Sequence, residues 1–104
     1  FIKDFRLEQV LLDFKGNPKL QKYLDDTFST LRAYDLHHKS NLMDTLSVLT
    51  ASLGSKVNTA ERLFLHRNTL IYRINKIEEL TGVDLSDSST ITRLLFLFKI
   101  QPYL

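Results

Sequence analysis

The sequence predicts an all-α protein of about six helices, and three observations carry that prediction. Apolar residues recur at spacings of three and four along most of the chain. Side chains with helix-capping chemistry stand just ahead of those periodic stretches, and the glycines and prolines fall between them. No stretch shows the alternation of a half-buried strand, and Val83-Asp84-Leu85 is too short to be more than a connection.

The first helix is expected over 6–14, where Leu7, Val10, Leu11 and Phe14 share one face ahead of Gly16. Asn17 then offers an N-cap with Pro18 at the first helical position, and Leu20, Tyr23, Leu24, Phe28, Leu31 and Tyr34 hold the 3.6-residue period of a second, longer helix. Ser40 is the expected cap of a third helix from about 41, with Leu42, Leu46, Leu49 and Leu53 turned inward and Gly54 as its left-handed stop. Asn58-Thr59-Ala60-Glu61 has capping-box spacing, which predicts a short fourth helix over about 59–64. A fifth helix is expected over 67–80, with Leu70, Ile74, Ile77 and Leu80 inward and Gly82 as its stop. Asp87 or Ser88 caps a sixth through Ile91, Leu94, Leu95, Phe98 and Ile100, which Pro102 ends.

Composition narrows the class. The 104 residues suit one compact unit with a modest core, in which 1–40 form an N-terminal helical segment and 41–104 the main domain. The chain begins at Phe1 without methionine, and Phe1, Ile2 and Phe5 look like the continuation of an upstream region. Without cysteine there are no disulfides or thiolate metal sites, which fits a cytoplasmic setting. No apolar run has the length of a membrane span. A net charge of +2 permits a nucleic-acid partner without requiring one, so the placement of the charges decides.

That placement is informative between residues 58 and 80. A short helix, a brief turn and a longer helix with a polar N-terminal half make a helix-turn-helix, formed here by the fourth and fifth helices, whose second member can enter a DNA major groove. Ala60 is small where the two helices cross, and Leu63 and Leu65 fill the corner between them. With the apolar stripe inward, Arg67, Asn68, Ile71, Tyr72 and Asn75 face outward, with Arg73 and Lys76 at the edge. Glu78 and Glu79 come only at the far end. Arginine pairs bidentately with guanine and asparagine with adenine, so Arg67 and Asn68, with Thr69 beside them, are the candidates for base edges. His66, Tyr72, Arg73 and Lys76 are candidates for phosphate contacts.

The run His66-Arg67-Asn68-Thr69-Leu70-Ile71-Tyr72-Arg73, followed by Ile77-Glu78-Glu79-Leu80-Thr81-Gly82 and Asp84-Leu85, resembles the signature of the C-terminal helix-turn-helix domain of PucR-type and sugar-diacid bacterial transcription regulators. LRAYDLHHKSNLMDTL (31–46) is similar to the segment leading into that domain, and Asn58, Ala60 and Leu63 match its first helix. One departure is that Leu65-His66 enters the turn without the glycine that some helix-turn-helix proteins use. The resemblance implies a DNA-binding output domain preceded in the whole protein by a separate sensory region.

Other classes fare worse. His37-His38 lies at an expected helix end, and adjacent histidines do not project from one helical face, so neither a metal site nor a catalytic pair is expected there. No glycine-rich phosphate loop is present, Asp25-Asp26 and Asp84 with Asp87 read as solvated helix ends, and no enzyme activity or cofactor is expected. The rival reading is a helical protein-interaction or dimerisation module that does not bind DNA. Tyr23, Phe28 and Tyr34 and the run Leu95-Phe96-Leu97-Phe98 offer more apolar surface than one small core needs, which favours a homodimer under either reading.

Overall fold

The structure, a computed structural model, describes residues 5–104, so Phe1 and Ile2 lie outside the described residues. Six α-helices are present among them: α1 (Arg6–Leu12), α2 (Pro18–His38), α3 (Leu42–Ala51), α4 (Lys56–Leu63), α5 (Arg67–Thr81) and α6 (Ser88–Ile100), with a 3-10 turn over Gln101–Tyr103. No strand occurs among the described residues, in keeping with the all-α expectation.

The core is assembled from one stripe per helix. Leu24, Phe28 and Leu31 of α2 meet Leu42, Leu46 and Leu49 of α3, Leu70, Ile74 and Ile77 of α5, and Ile91, Leu94 and Leu97 of α6, with Leu85 closing the loop before α6. The hub is α3, which packs against α2, α4, α5 and α6. Phe28 also stacks at a tilt on Phe98, with ring centroids 4.7 Å apart. In α5, Leu70, Ile74 and Ile77 are buried as the period predicts, while Leu80, expected inward, and Ile71, expected outward, are half-buried. In α6, Leu97 is buried while Leu95 is half-exposed.

Several local expectations give way to neighbouring chemistry. Asn17 caps α2 through bonds from the Lys19 and Leu20 amides, as its position predicts. Ser40 does not cap α3. Lys39 and Asn41 both take left-handed backbone, which folds the chain back and brings the Asp35 carboxylate over the start of α3. There Asp35 accepts hydrogen bonds from the Leu42 amide (2.7 Å), the Met43 amide (2.9 Å) and the Ser40 hydroxyl itself (2.7 Å). A carboxylate at a helix N-terminus also gains from the helix dipole, so it outcompetes the neutral hydroxyl.

Leu53, expected to point inward, is 77% exposed. It is itself the left-handed residue (φ 55°) of a Schellman turn, with the Leu53 amide bonded to the Thr50 carbonyl and the Gly54 amide to the Leu49 carbonyl. The reversal at Leu53 carries its side chain off the helical face. The turn also decides where α4 begins. Ser55 is the first extended residue beyond it, and its hydroxyl accepts the Asn58 amide at 3.2 Å. The cap is therefore Ser55, and the expected Asn58–Glu61 capping box lies inside a helix that starts three residues earlier.

The first helix ends at Leu12, short of the expected Phe14, and none of its residues is buried; Leu7, Val10 and Leu12 are exposed. Tyr23, placed on the inward stripe of α2, is also largely exposed.

Candidate nucleic-acid interface

α4 ends in a second Schellman turn, in which the Phe64 amide reaches the Glu61 carbonyl and the Leu65 amide the Ala60 carbonyl. Phe64 occupies the left-handed position (φ 55°) that glycine fills at least cost, so the missing glycine is replaced by a strained aromatic residue. His66 then extends as the N-cap of α5, its Nδ1 accepting the Asn68 amide at 3.1 Å. Nδ1 can accept only in the tautomer that carries its proton on Nε2, so the other ring nitrogen is a donor. Gly82, left-handed at φ 76°, ends α5.

Burial of Leu70, Ile74 and Ile77 fixes the rotation of α5. Asn68, Tyr72 and Asn75 consequently form an exposed line on the opposite side, with Arg67 and Thr69 exposed at its N-terminal end. Among the described residues Arg67 has no ion-pair partner. The base-edge candidates Arg67, Asn68 and Thr69 are thus brought together on one solvent-facing end of the helix.

The phosphate candidates divide. Tyr72 is exposed, and His66 is exposed while it caps the helix. Arg73 turns to the flank facing α3 and donates from its guanidinium to the Oγ1 of buried Thr45 at 3.2 Å, while Thr45 donates to the Asn41 carbonyl. Lys76 lies 5.2 Å from the centre of the Tyr34 ring and 3.4 Å from a Glu79 oxygen. Both cations are partly engaged by the scaffold.

Arg73 also acts on Asp35. Partial burial pushes the Asp35 carboxyl upward, but the Met43 amide, the Ser40 hydroxyl, the Leu42 amide and the Arg73 charge together hold it below the usual aspartate value. One carboxylate thereby joins the end of α2, the start of α3 and the middle of α5. Sequence reasoning missed Asp35 because its partners lie five to eight residues ahead, outside the spacing of local capping motifs. It missed Phe64 because an apolar residue at the expected end of a helix carries no sign of left-handed backbone.

At the far end of α5, the Glu78 carboxylate accepts the Leu85 amide at 2.9 Å and pins the loop before α6. His38 stacks on Tyr34 with centroids 4.0 Å apart, and its Nδ1 lies 3.1 Å from the Tyr34 carbonyl. No cluster of three potential metal ligands occurs among the described residues.

A short capped helix, a three-residue turn and a longer helix with its polar end exposed define a helix-turn-helix domain. The PucR C-terminal helix-turn-helix domain family matches residues 42–100, and the chain belongs to that family. It is similar to the purine catabolism regulatory protein of Bacillus subtilis, 39% identical over 82 residues, or 79% of this chain and 15% of that protein. Similarity to the carbohydrate diacid regulator of Escherichia coli reaches 51% identity over 87 residues, 84% of this chain and 22% of the relative. The proline-responsive transcriptional activator PutR of Bacillus subtilis is 38% identical over 69 residues, 66% of this chain and 17% of the relative. The chain therefore spans less than a quarter of the length of these curated relatives. No solved structure gives a significant match.

Proposed function

We propose that the chain binds double-stranded DNA with sequence selectivity, as the output domain of a bacterial transcription regulator, with the N-terminal half of α5 in the major groove. The observation that carries this reading is the exposed polar end of α5, where Arg67, Asn68, Thr69 and Tyr72 stand clear of a helix anchored by Leu70, Ile74 and Ile77. The family and the regulator names of the relatives support the same reading.

Arg67 and Asn68 read base edges, with Thr69 against a thymine methyl or the adjacent phosphate. The His66 Nε2–H and the Tyr72 hydroxyl bond phosphates and set the register. Lys76 and Arg73 serve phosphates on the flank facing α2 and α3, where contact draws Lys76 away from Glu79 and uses the guanidinium nitrogens that Thr45 leaves. A sensory region elsewhere in the whole protein, a cytoplasmic setting and a homodimer complete the proposal. In the dimer, two copies of α5 would lie about 34 Å apart to meet successive major grooves. The exposed Leu7, Val10 and Leu12 of α1 favour self-association, which does not compete with DNA binding.

The test is fluorescence anisotropy of the chain on a duplex from the promoter of its own operon, against a scrambled duplex, across a salt series. Arg67→Ala should cost about 1–3 kcal/mol on the preferred duplex and little on the scrambled one, whereas Lys76→Ala should weaken both and flatten the salt dependence. Equal losses on both duplexes for Arg67→Ala would remove it from base readout.

A further inference from the structure

Phe64 is 94% exposed, the highest value for a large apolar side chain among the described residues. Its backbone is also left-handed, so the position carries strain as well as a solvated ring. A glycine would relieve both, which makes an aromatic residue here costly to the free chain. Val57, 70% exposed, lies one turn from Glu61 on α4, while Phe64 follows the helix as its left-handed C-cap. Val57 and Glu61 line a shallow depression of about 240 Å³ together with Lys56, Ala60 and Arg67.

The surroundings specify the partner. Lys56 and Arg62 of α4 and Arg67 at the start of α5 are exposed and have no ion-pair partner among the described residues; Glu61 is the negative group among them. A surface that interleaves apolar and cationic side chains matches a nucleic-acid strand, in which apolar deoxyribose alternates with anionic phosphate. Phe64 precedes the His66 cap by two residues, within about 7 Å of chain, so a strand bordering the groove that receives α5 passes within reach of it.

We propose that Phe64 packs on the deoxyribose face of the DNA strand that borders the groove entered by α5. This makes a sequence-independent apolar contact in the turn that leads to the exposed Arg67. The inference rests on the DNA-binding reading above and adds a contact that α5 does not supply.

The test uses the 104-residue chain and a fluorescein-labelled mixed-sequence duplex across a salt series, with Phe64→Gly, Phe64→Tyr and Arg67→Ala. Phe64→Gly should bind about tenfold more weakly at every salt concentration, the loss expected when part of an aromatic ring is no longer covered. The slope against salt should be unchanged, because no phosphate charge is released or retained. Phe64→Tyr should bind like the parent. Circular dichroism should show Phe64→Gly melting no lower than the parent, since glycine suits its backbone. Parental affinity in Phe64→Gly, with binding of the parent intact, overturns the Phe64 contact alone. A shift of oligomeric state in Phe64→Gly without loss of affinity also overturns it, and assigns the ring to a protein contact. Failure of the parent chain to bind any duplex at low salt overturns both this contact and the DNA-binding reading.

Discussion

Removing the Asp35 carboxylate should destabilise the domain more than its position on a surface-facing helix end suggests. Asp35→Ala deletes three accepted hydrogen bonds at once, from the Leu42 and Met43 amides and the Ser40 hydroxyl, and leaves Arg73 without its nearby negative charge. A lost N-cap costs about 0.5–2 kcal/mol, and hydrogen bonds to a charged group lie at the upper end of the usual range. Asp35 is only half-buried, so water recovers part of the loss, and about 1.5–2 kcal/mol is expected. For a domain of this size that lowers Tm by roughly 6–14 °C. The pH dependence has a definite sign. The folded carboxyl is held below its unfolded value of about 3.9, so its contribution is complete above that value and is lost as pH falls through the lower folded value. Thermal melts of the parent and Asp35→Ala should therefore differ at pH 7 and converge toward pH 2.5. Asp35→Asn should fall between them, because its amide retains one acceptor but turns a donor toward a backbone amide. A gap of equal size at both pH values would show that the carboxylate charge contributes nothing and that the loss is one of packing alone.

Two further substitutions test the local structure. Ser55→Ala should lower stability by about 1 kcal/mol while Asn58→Ala changes it by a few tenths, measured by urea denaturation; the reverse order would restore the capping box at Asn58 as the start of α4. Leu70→Ala, at a fully buried position, should cost about 3 kcal/mol, against about 1 kcal/mol for the half-buried neighbour Ile71→Ala. Similar losses at the two positions would mean that α5 is rotated from the orientation that exposes Asn68 and Tyr72.

The parts of the fold legible in the sequence are those decided within a few residues. The stripe Leu70, Ile74, Ile77 sets both the existence and the rotation of α5, and Asn17-Pro18 and Asp87 mark helix starts by chemistry contained in one turn. The errors arose where two local signals competed or where a distant group intervened. Ser55 and Asn58 are both acceptable caps, and only the Schellman turn at Leu53 and Gly54 decides between them. Ser40 lost its expected role to a carboxylate delivered by α2. Leu53 is expected inward, and the turn at Phe64 goes unread, because hydrophobicity says nothing about a left-handed backbone, which needs the chain reversal to be known first. The same limit applies at the candidate interface: the period assigns Arg73 and Lys76 to an edge, while the partners that draw them inward, Thr45 and Tyr34, belong to other helices.

That inward pull bears on how a helix of only fifteen residues, proposed above to enter the major groove, holds its angle. An apolar stripe fixes rotation about the axis well, but it resists tilting and sliding less, because leucine and isoleucine contacts are not directional. Directional restraints between α5 and its surroundings are supplied separately: Arg73 on Thr45 near the middle and Glu78 on the Leu85 amide toward the end. Both lie outside the exposed line of Asn68, Tyr72 and Asn75. A base contact loses its value when the donor moves by about an ångström, so side chains spent on these restraints can contribute to sequence readout without touching a base. Substituting Arg73 should then weaken discrimination between duplexes as well as overall affinity, an effect that a residue bound only to phosphate would not produce.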